Sequence, residues 1–361
     1  MNTTKVATKS RFSKTDIPFL IAGPCSAETR EQVLDIAHEL KKNPKVHMYR
    51  AGIWKPRSSP GTFQGVGAKG LPWLTAVKEE TGMATTVEVA QAKHVELCLE
   101  TGIDALWIGA RTTVNPFAVQ EIADAVKGVD IPVLIKNPIN PDLALWMGSV
   151  ERIKTAGISD LAVIHRGFSH FGETYYRNRP QWQLAIEFKR RMPEIPIICD
   201  PSHICGRRDI LQDVSQKALD LDYDGLMIET HHDPDNAWSD AKQQITPEVL
   251  DQLISNLALR QDKQANHELQ SDLGILREEI GGVDDDIYGL FSERMKVTRK
   301  IGEYKKNNNI TILQEKQWAK TLDHAKAQAK RLGLSEDFIV AYLRAIHDES
   351  IRQQQKVMND K

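Results

Sequence analysis

The chain has 361 residues, of which 41% are hydrophobic and 27% are charged, and its formal net charge is -2. This length suggests roughly two domains, because one domain usually takes about 100–200 residues and an α/β barrel about 250. The near balance of 47 basic and 49 acidic residues argues against bulk binding to nucleic acid or to a membrane surface. No apolar run approaches the roughly 18 residues of a membrane-spanning helix.

The N-terminus and the cysteines predict a cytoplasmic protein. The stretch from Met1 to Lys14 is polar and basic and lacks the apolar segment of a secretory signal. The chain has four cysteines and no Cys-x-x-Cys pair among them: Cys25, Cys98, Cys199 and Cys205. Reduced thiols in an enzyme-sized chain are typical of the cytoplasm.

Eight short apolar runs alternate with amphipathic helical stretches over the first 258 residues. The runs are Pro18–Ala22, Val46–Ala51, Met83–Val87, Ala105–Gly109, Pro132–Lys136, Leu161–His165, Pro196–Cys199 and Gly225–Glu229. Continuous apolar runs separated by helices are typical of a parallel sheet buried on both faces. Eight such units predict an α/β fold, a (β/α)8 TIM barrel. The alternative, a doubly wound open sheet, lacks its Gly-rich fingerprint after the first strand.

The composition changes after the last of these runs. The stretch from Arg260 to His267 is polar without Gly or Pro, and the chain from Leu269 onward contains no proline. Such a segment favours helices throughout. We therefore predict a barrel, a linker and an all-α domain over residues 1–258, 259–268 and 269–361.

The helical domain opens with an apolar seam of heptad type. Its members follow an alternating 4,3 spacing: Leu269, Leu273, Leu276, Ile280, Val283, Ile287, Leu290, Val297, Ile301 and Tyr304. The seam covers about five repeats, a helix of roughly 50 Å. Two further helices are expected at about 314–332 and 335–356. Three helices of such unequal length cannot bury the whole seam in a monomeric bundle, so the long helix is expected to pair with a second chain in a homodimer. Whether dimers associate further into a tetramer stays open.

Polar residues follow nearly every predicted barrel strand. Because catalytic groups of such barrels lie at the C-terminal ends of the strands, these residues are expected to converge. One set is cationic and suits phosphate or carboxylate groups: Arg50, Lys55, Arg57, Arg111, Lys136 and Arg166. The alternative is that each cation pairs with a neighbouring Asp or Glu.

A second set could hold a divalent transition metal. It combines a thiol, an imidazole and two carboxylates, which suit Mn, Fe, Co or Zn: Cys25, His203, Glu229 and Asp240. The competing interpretation is a buried cysteine and a hydrogen-bonded loop histidine. His231 and His232 are alternative ligands.

Five ordered motifs over residues 17–258 resemble the barrel of the 3-deoxy-arabino-heptulosonate 7-phosphate (DAHP) synthase family. They are Ala22-Gly23-Pro24-Cys25-Ser26, Lys55-Pro56-Arg57-Ser58-Ser59, Gly109-Ala110-Arg111, Asp200-Pro201-Ser202-His203 and Ser239-Asp240-x-x-Gln243. The related octulosonate phosphate synthases, which use a five-carbon sugar phosphate, look different at the Lys-Pro-Arg-Ser loop and are the alternative. The chain also begins almost at the barrel, so no N-terminal regulatory domain is expected.

The resemblance implies a reaction and a role for each residue. Cys25, His203, Glu229 and Asp240 would hold one divalent metal ion, which would act as a Lewis acid on the aldehyde of erythrose 4-phosphate. Phosphoenolpyruvate would be bound by five cations, with Arg111 and Lys136 on its phosphate: Arg50, Lys55, Arg111, Lys136 and Arg166. Arg57 and Ser58 would take the phosphate of erythrose 4-phosphate. For Glu88 and Asp200, orientation of the ligands and contact with substrate both stay open.

Polar residues also interrupt the apolar stripes of the helical domain. Arg294 lies on the seam of the long helix, where a buried cation needs an anionic neighbour or ligand. Ser350 and Gln354 continue the stripe of the last helix, and polar groups there usually bond to the backbone or to each other. Arg277 and Lys305 are about 42 Å apart on one helix, so they can meet at one small molecule only across a dimer.

Residues 269–358 resemble the all-helical chorismate mutase family. The motifs are Leu276-Arg277-Glu278-x-Ile280, Glu293-Arg294-Met295, Ile301-Gly302-x-Tyr304-Lys305 and Ser350-x-x-x-Gln354. The resemblance implies that Arg294 and the partner chain's Arg277 clamp the carboxylates of chorismate. Lys305, Ser350 and Gln354 complete the site, with Lys305 and Gln354 on the ether oxygen. Catalysis would be conformational restriction with electrostatic stabilisation.

One position departs from the mutase pattern. Gln317 stands where the family commonly has an arginine, and Lys316 is the candidate that could compensate. Two interpretations of the helical domain follow. It is either an active mutase that forms prephenate or a module that senses chorismate or prephenate and gives feedback on the barrel, and the two are compatible.

Overall fold

The computed structural model describes residues 10–56, 61–172, 175–260, 267–313 and 315–359. The side chains of residues 267–272 and 315–316 also lie outside this description. The chain divides into two compact units, Met1–Gln261 and Asp262–Lys361.

The first unit is a closed parallel barrel of eight strands, which confirms the predicted (β/α)8 fold. Within the described residues, the strands follow one another around the barrel in chain order: β1 Phe19–Gly23, β2 Val46–Arg50, β3 Ala84–Val89, β4 Ala105–Ile108, β5 Val133–Lys136, β6 Leu161–His165, β7 Ile197–Cys199 and β8 Gly225–Glu229. The barrel closes where β1 pairs with β8, with Gly23 opposite Glu229. Gly225 is required at this closure, because a Cβ there would overlap the carbonyl oxygen of Phe19.

Helices connect the strands and cover the barrel. They are α1 Arg30–Lys41, α2 Leu71–Thr81, α3 Ala92–Glu100, α4 Ala110–Thr113, α5 Pro116–Val126, α6 Leu143–Thr155, α7 Trp182–Arg191, α8 Pro201–Cys205, α9 Leu211–Asp220 and α10 Pro247–Ser255. Several begin at side chains that accept hydrogen bonds from the first turn, as Asn115 does from the backbone of Phe117 and Asp142 from that of Leu145. Such caps satisfy backbone N–H groups that the helix leaves unpaired.

The barrel interior is packed and closed at one end. Phe12 is fully buried with Ile21, Met48 and Trp107 inside the barrel. Its ring lies 5.2 Å from that of Phe19, which begins β1. Because the N-terminal strand ends are closed by apolar rings, the polar residues at the C-terminal strand ends face the open mouth.

The second unit is the predicted all-α domain. It consists of α11 His267–Asn307, α12 Glu315–Leu332 and α13 Glu336–Asn359, and both α11 and α12 pack on α13. The 41 residues of α11 span about 60 Å. Its buried face includes Thr298 and Lys305, whereas the predicted apolar seam is largely exposed in the single chain, with Ile280 at 63% and Leu290 at 64%. None of the described helices is both long and apolar enough to span a bilayer.

Candidate active sites

The predicted barrel residues converge at the C-terminal strand ends. Arg50, Lys136 and Glu229 end their strands, Arg166 directly follows β6, and Cys25 lies two residues after the end of β1. Arg111 and His203 lie on the short helices α4 and α8, and Asp240 lies beyond β8. Arg57 and Ser58 lie outside the described residues.

Three of the four predicted metal ligands form one cluster. The ligating atoms of Cys25, Glu229 and Asp240 lie within 4.8 Å of one another. His203 adjoins them, with its Nε2 atom 3.7 Å from Glu229 Oε1. Glu229 Oε1 is buried and makes no hydrogen bond within the described residues, although it lies 3.2 Å from Arg50 Nη2 in an ion pair. A buried oxygen without a hydrogen bond beside a thiol, an imidazole and a second carboxylate fits a divalent transition cation.

His231 does not join this cluster. Its buried ring lies 3.4 Å from the carboxylate of Glu28 and stacks on His232. Its Nδ1 atom accepts a hydrogen bond from the backbone of Asp233. Of the histidines that could compete as ligands, His203 is the one beside Glu229.

The environment of Cys25 favours the thiol over the thiolate. Burial, reinforced by the charge of Glu229, raises the pKa of Cys25 to about 12. Cys25 Sγ lies 3.1 Å from Asp240 Oδ2 and accepts a hydrogen bond from Lys55 Nζ at 2.8 Å. A thiol needs a nearby positive charge to become a thiolate, and a divalent cation favours that form strongly.

Asp200 supports the histidine from behind. His203 Nδ1 lies 2.8 Å from Asp200 Oδ2, and Lys136 Nζ lies 2.9 Å from the same oxygen. Burial opposes a charge on Asp200, but His203 and Lys136 outweigh it and hold the pKa of this carboxyl well below its usual value. A carboxylate on the far nitrogen fixes a ligating histidine in one orientation. Asp200 is fully buried and is not among the residues that line the cleft above the cluster, so its position suits the orienting role better than contact with substrate.

Above the cluster lies a polar cleft of about 810 Å³. It is lined by Lys55, Pro56, Glu88, Arg111, Ile139, Arg166, Ser169, Arg177, Asn178, His203 and Asp240. Burial lowers the pKa of Arg166 to about 10, so its charge is poorly solvated before any anion binds. Several cations in one cleft favour an anionic ligand.

Two more cations lie against a buried indole ring. The guanidinium of Arg50 lies 4.9 Å from the ring centre of Trp107, and Lys136 Nζ lies 5.8 Å from it. Arg50 Nε and Nη1 are buried without a hydrogen bond within the described residues. Trp107 Nε1 donates to Glu88 Oε2 at 3.0 Å. Trp107 thus links both cations to Glu88.

Sequence reasoning did not single out Arg177 or Trp107. Arg177 Nη1 donates to Asp240 Oδ1 at 3.0 Å and to Gln243 Oε1 at 2.6 Å. The length of its loop could have pointed to Arg177, because 16 residues separate β6 from α7. Loops of this length in compact domains are usually functional. Trp107 resembles any apolar strand residue in the sequence.

A second polar cavity lies within the helical unit. It is lined by Arg294, Thr298, Ile301, Lys305, Ile312, Gln317, Trp318, Thr321, Leu343, Ile346, His347, Ser350 and Gln354. It therefore contains four of the predicted mutase residues, together with the divergent Gln317. Arg277 is exposed on α11, 17 residues before Arg294, and is not among the residues that line this cavity.

Helices α11 and α13 meet through polar contacts at this cavity. Arg294 Nη1 donates to Ser350 Oγ at 2.6 Å. Arg294 is exposed in the single chain, so the burial expected from its position on the seam is not present there. Lys305 Nζ donates to the carbonyl oxygen of Ile312 at 2.6 Å, and burial lowers the pKa of this lysine. Gln354 Oε1 is buried without a hydrogen bond within the described residues.

Comparisons with known proteins match both units. Residues 5–265 match the DAHP synthetase I family, and residues 276–355 match chorismate mutase type II. A phospho-2-dehydro-3-deoxyheptonate aldolase of Thermotoga maritima is 33% identical over 238 residues, which are 66% of this chain and 68% of the relative. A 2-dehydro-3-deoxyphosphooctonate aldolase of Caulobacter vibrioides is 26% identical over 262 residues, 67% of this chain and 87% of the relative.

Solved structures give the same picture for the barrel. The crystal structure of a DAHP synthase from Thermotoga maritima has 32% sequence identity and a TM-score of 0.59, and the match covers 66% of this chain and 67% of that one. A truncated form of the Thermotoga maritima enzyme matches at 29% identity with a TM-score of 0.56, over 66% of this chain and 84% of that one.

Proposed function

Because the chain belongs to the DAHP synthetase I family and also carries a chorismate mutase type II domain, we propose that it catalyses two reactions of one pathway. The barrel condenses phosphoenolpyruvate with erythrose 4-phosphate to DAHP and phosphate and depends on a divalent metal ion. The helical domain rearranges chorismate to prephenate. The four cysteines are free thiols, which supports a cytoplasmic enzyme.

One observation carries the first proposal. The cluster of Cys25, Glu229 and Asp240, adjoined by His203, lies directly below a cleft lined by Lys55, Arg111 and Arg166. The sulfur, nitrogen and oxygen donors of the cluster suit a transition-metal ion. The neighbouring cations suit the phosphate groups of the substrates. Mn, Fe, Co and Zn all suit these donors.

The residues of the chain bind and orient both substrates. Arg111, Lys136 and Arg166 bind the anionic groups of phosphoenolpyruvate so that its carbon 3 faces the aldehyde carbon. Carbon 3 attacks the aldehyde carbon while water adds at carbon 2, and a proton from that water converts the aldehyde oxygen to a hydroxyl. The bond between carbon 2 and the phosphate oxygen then breaks, the remaining proton leaves with phosphate, and carbon 2 becomes a ketone. A divalent cation held by the cluster would supply Lewis acidity toward the aldehyde oxygen. Lys55, next to the cluster, donates a hydrogen bond to the aldehyde oxygen as it gains negative charge. Preorganised charges of this kind often account for much of an enzyme's rate enhancement.

The alternative substrate is a five-carbon sugar phosphate. The 33% identity to a heptonate aldolase against 26% to an octonate aldolase favours erythrose 4-phosphate. The test measures phosphate release from phosphoenolpyruvate with erythrose 4-phosphate and with arabinose 5-phosphate. Turnover with arabinose 5-phosphate alone would refute the assignment.

Metal dependence has its own test. Chelation and the variant Cys25→Ala are each expected to abolish condensation, and Mn, Fe, Co or Zn restores the chelated wild type only. The variant Cys98→Ala is the matched control, because Cys98 is a buried residue of α3 and does not belong to the cluster. Undiminished turnover after chelation would contradict the proposed metal role.

The contact between Arg294 and Ser350 carries the second proposal. It places a guanidinium in a cavity that also holds Lys305 and Gln354, which suits a dicarboxylate with an ether oxygen between its parts. The rearrangement is unimolecular and needs no proton transfer, so binding in the reactive conformation and stabilisation of the developing charge suffice.

The partner chain's Arg277 completes this site in the proposed homodimer. The exposed apolar seam of α11 supports such a dimer, since Leu276, Ile280 and Leu290 are all more than half exposed in one chain. Sedimentation at several concentrations tests it, and a chain that stays monomeric would refute it. The same measurement shows whether dimers associate into tetramers.

Feedback is the second role proposed for the helical domain. Prephenate is expected to inhibit condensation by binding the cavity around Arg294. The assay measures condensation by the full chain with and without prephenate, in the wild type and in Arg294→Ala. Mutase activity without inhibition would favour catalysis alone, whereas inhibition without prephenate formation would favour a sensor.

A further inference from the structure

Two carboxylates of the barrel cluster each present one oxygen to the cluster and accept a hydrogen bond from Arg177 or Gln243 at the other. Asp240 Oδ2 lies 3.1 Å from Cys25 Sγ, whereas Asp240 Oδ1 accepts a hydrogen bond from Arg177 Nη1 at 3.0 Å. Glu229 Oε2 accepts a hydrogen bond from Gln243 Nε2 at 2.7 Å, whereas Glu229 Oε1 makes no hydrogen bond within the described residues and lies 3.2 Å from Arg50 Nη2 in an ion pair. In both residues, the oxygen that faces the cluster is the one not taken by Arg177 or Gln243.

Gln243 and Arg177 form one continuous chain between the two carboxylates. Arg177 Nη1 also donates to Gln243 Oε1 at 2.6 Å. The amide of Gln243 has only one orientation here, because its oxygen must face the guanidinium and its nitrogen the carboxylate of Glu229. Gln243 is 1% exposed, so water does not replace either contact.

The backbone of Arg177 is fixed to the helix that carries His203. Its amide donates to the carbonyl oxygen of Cys205 at 3.2 Å, and the side chain of Asn178 donates to the carbonyl oxygen of His203 at 2.7 Å. Gly206 ends this helix with a φ of 66°, and a Cβ there would overlap the Cβ of Arg177. Arg177 therefore ties the loop after β6 to the loops after β7 and β8.

We propose that Arg177 and Gln243 are positioning residues that restrict Glu229 and Asp240 to one metal-binding oxygen each. This inference rests on the proposed metal site. Two single oxygens, one sulfur and one nitrogen make a compact set of four donors, which suits a small transition ion. Ca²⁺ prefers six to eight oxygens and readily uses both oxygens of a carboxylate. Arg177 and Gln243 thereby set the choice of metal as well as its affinity.

The test measures binding of Co²⁺, Mn²⁺ and Ca²⁺ by the full chain, without substrates. Arg177→Gln and Gln243→Met are expected to weaken Co²⁺ and Mn²⁺ binding about 10- to 100-fold. The ratio of Mn²⁺ to Ca²⁺ affinity falls in both variants, whereas a merely structural defect lowers both affinities together. The thiolate-to-cobalt charge-transfer band of Cys25 stays present at saturating Co²⁺.

Three further variants keep the result interpretable. Arg177→Lys keeps a cationic donor and is expected to retain most of the Mn²⁺ preference. Gly206→Ala displaces Arg177 without changing it and is expected to act like Arg177→Gln, which covers the case where that variant fails to fold. Arg179→Gln removes a guanidinium that lies beside His170 on the same loop and serves as the matched control.

Two results would overturn different claims. If the wild type binds no Co²⁺ and shows no charge-transfer band, the proposed metal site fails. If the wild type binds Co²⁺ through Cys25 but Arg177→Gln and Gln243→Met keep the same affinities and the same Mn²⁺ to Ca²⁺ ratio, the positioning role fails and the metal site stands.

Discussion

Lys136 at the end of β5 and Asp200 after β7 form an ion pair across the barrel, with Nζ and Oδ2 2.9 Å apart and both side chains at most 5% exposed. Two charges removed from water in this way stabilise the fold only as a pair, since either one alone would be a buried unpaired charge. The pair links a cation proposed to bind substrate with the carboxylate that lies beside His203.

Asp200→Asn is expected to lower the free energy of unfolding by about 3–5 kcal/mol, because it leaves Lys136 without its counter-charge. Urea unfolding followed by circular dichroism measures it. Asp209→Asn, which removes an exposed partner of Arg207, should change stability by less than about 1 kcal/mol. The double variant Lys136→Met with Asp200→Asn should lose less than the sum of the single variants, and simple additivity would contradict the pairing.

Gly109→Ala is expected to impair condensation without unfolding the barrel. A Cβ at Gly109 would overlap Glu88 Oε1, and the carboxylate would have to move away from Trp107. Displacements of about 1 Å near reacting groups can reduce rates by about 100-fold. Steady-state kinetics with both substrates measure the loss. Gly148→Ala is the control, because nothing lies within 4 Å of its added Cβ, and equal kinetics in both variants would refute the prediction.

Arg294→Ala is expected to reduce the rate of prephenate formation by about 100- to 1000-fold, as loss of one preorganised donor does elsewhere. Condensation without prephenate should be unaffected. Absorbance of chorismate at saturating concentration measures the rate. Arg299→Ala, five residues further along α11, removes a guanidinium bonded to Gln353 and should keep mutase activity. A normal rate in Arg294→Ala would show that this cavity is not the site.

Because His165 is buried and neutral, the free energy of unfolding is expected to fall on mild acidification. Burial lowers the pKa of His165 to about 4, and the neutral ring lies 2.8 Å from the hydroxyl of Tyr223 and 2.7 Å from the carbonyl oxygen of Pro180. The unfolded chain binds this proton near pH 6.5, so stability is full above that pH and falls as the pH drops toward 4. This lowering of the pKa of His165 corresponds to a loss on the order of 3 kcal/mol in the free energy of unfolding.

Urea midpoints at pH 7.5, 5.5 and 4.5 measure this effect. His165→Gln should flatten the dependence between pH 6.5 and 4, after allowance for its lower stability at pH 7.5. The lowered pKa values of Asp200 and Glu229 also destabilise the protein in acid, but at lower pH, because these carboxylates lose their contribution only below the pKa of an unfolded carboxyl group, about 4. An unchanged slope in His165→Gln would exclude this histidine as the cause.

Much of the barrel could be predicted because its strands are buried on both faces. Each observed strand overlaps a predicted apolar run, and strand ends in a parallel barrel share one edge, which brings Cys25 near Glu229 and Asp240 although over 200 residues separate them. The heptad spacing likewise gave α11, and the stripe of Leu343, Ile346, Ser350 and Gln354 is the buried face of α13.

Side-chain networks could not be predicted in the same way. Arg177 acts through contacts with Asp240 and Gln243 that depend on how three loops fold over one another, and no spacing in the sequence encodes them. Trp107 is one apolar residue among many in its strand. The periodicity of α11 predicts that Arg294 is buried, but Arg294 is exposed in the single chain, and the burial would come only from the proposed second chain.

Two residues proposed to bind the metal ion come from opposite ends of the barrel sequence. Cys25 follows β1, Glu229 ends β8, and these two strands pair only when the barrel closes. A nascent chain therefore cannot assemble the cluster until its last strand and Asp240 have left the ribosome. Binding of the metal ion at the proposed site would then require a completely synthesised barrel. A shorter translation product that lacks Glu229 and Asp240 could not form this site.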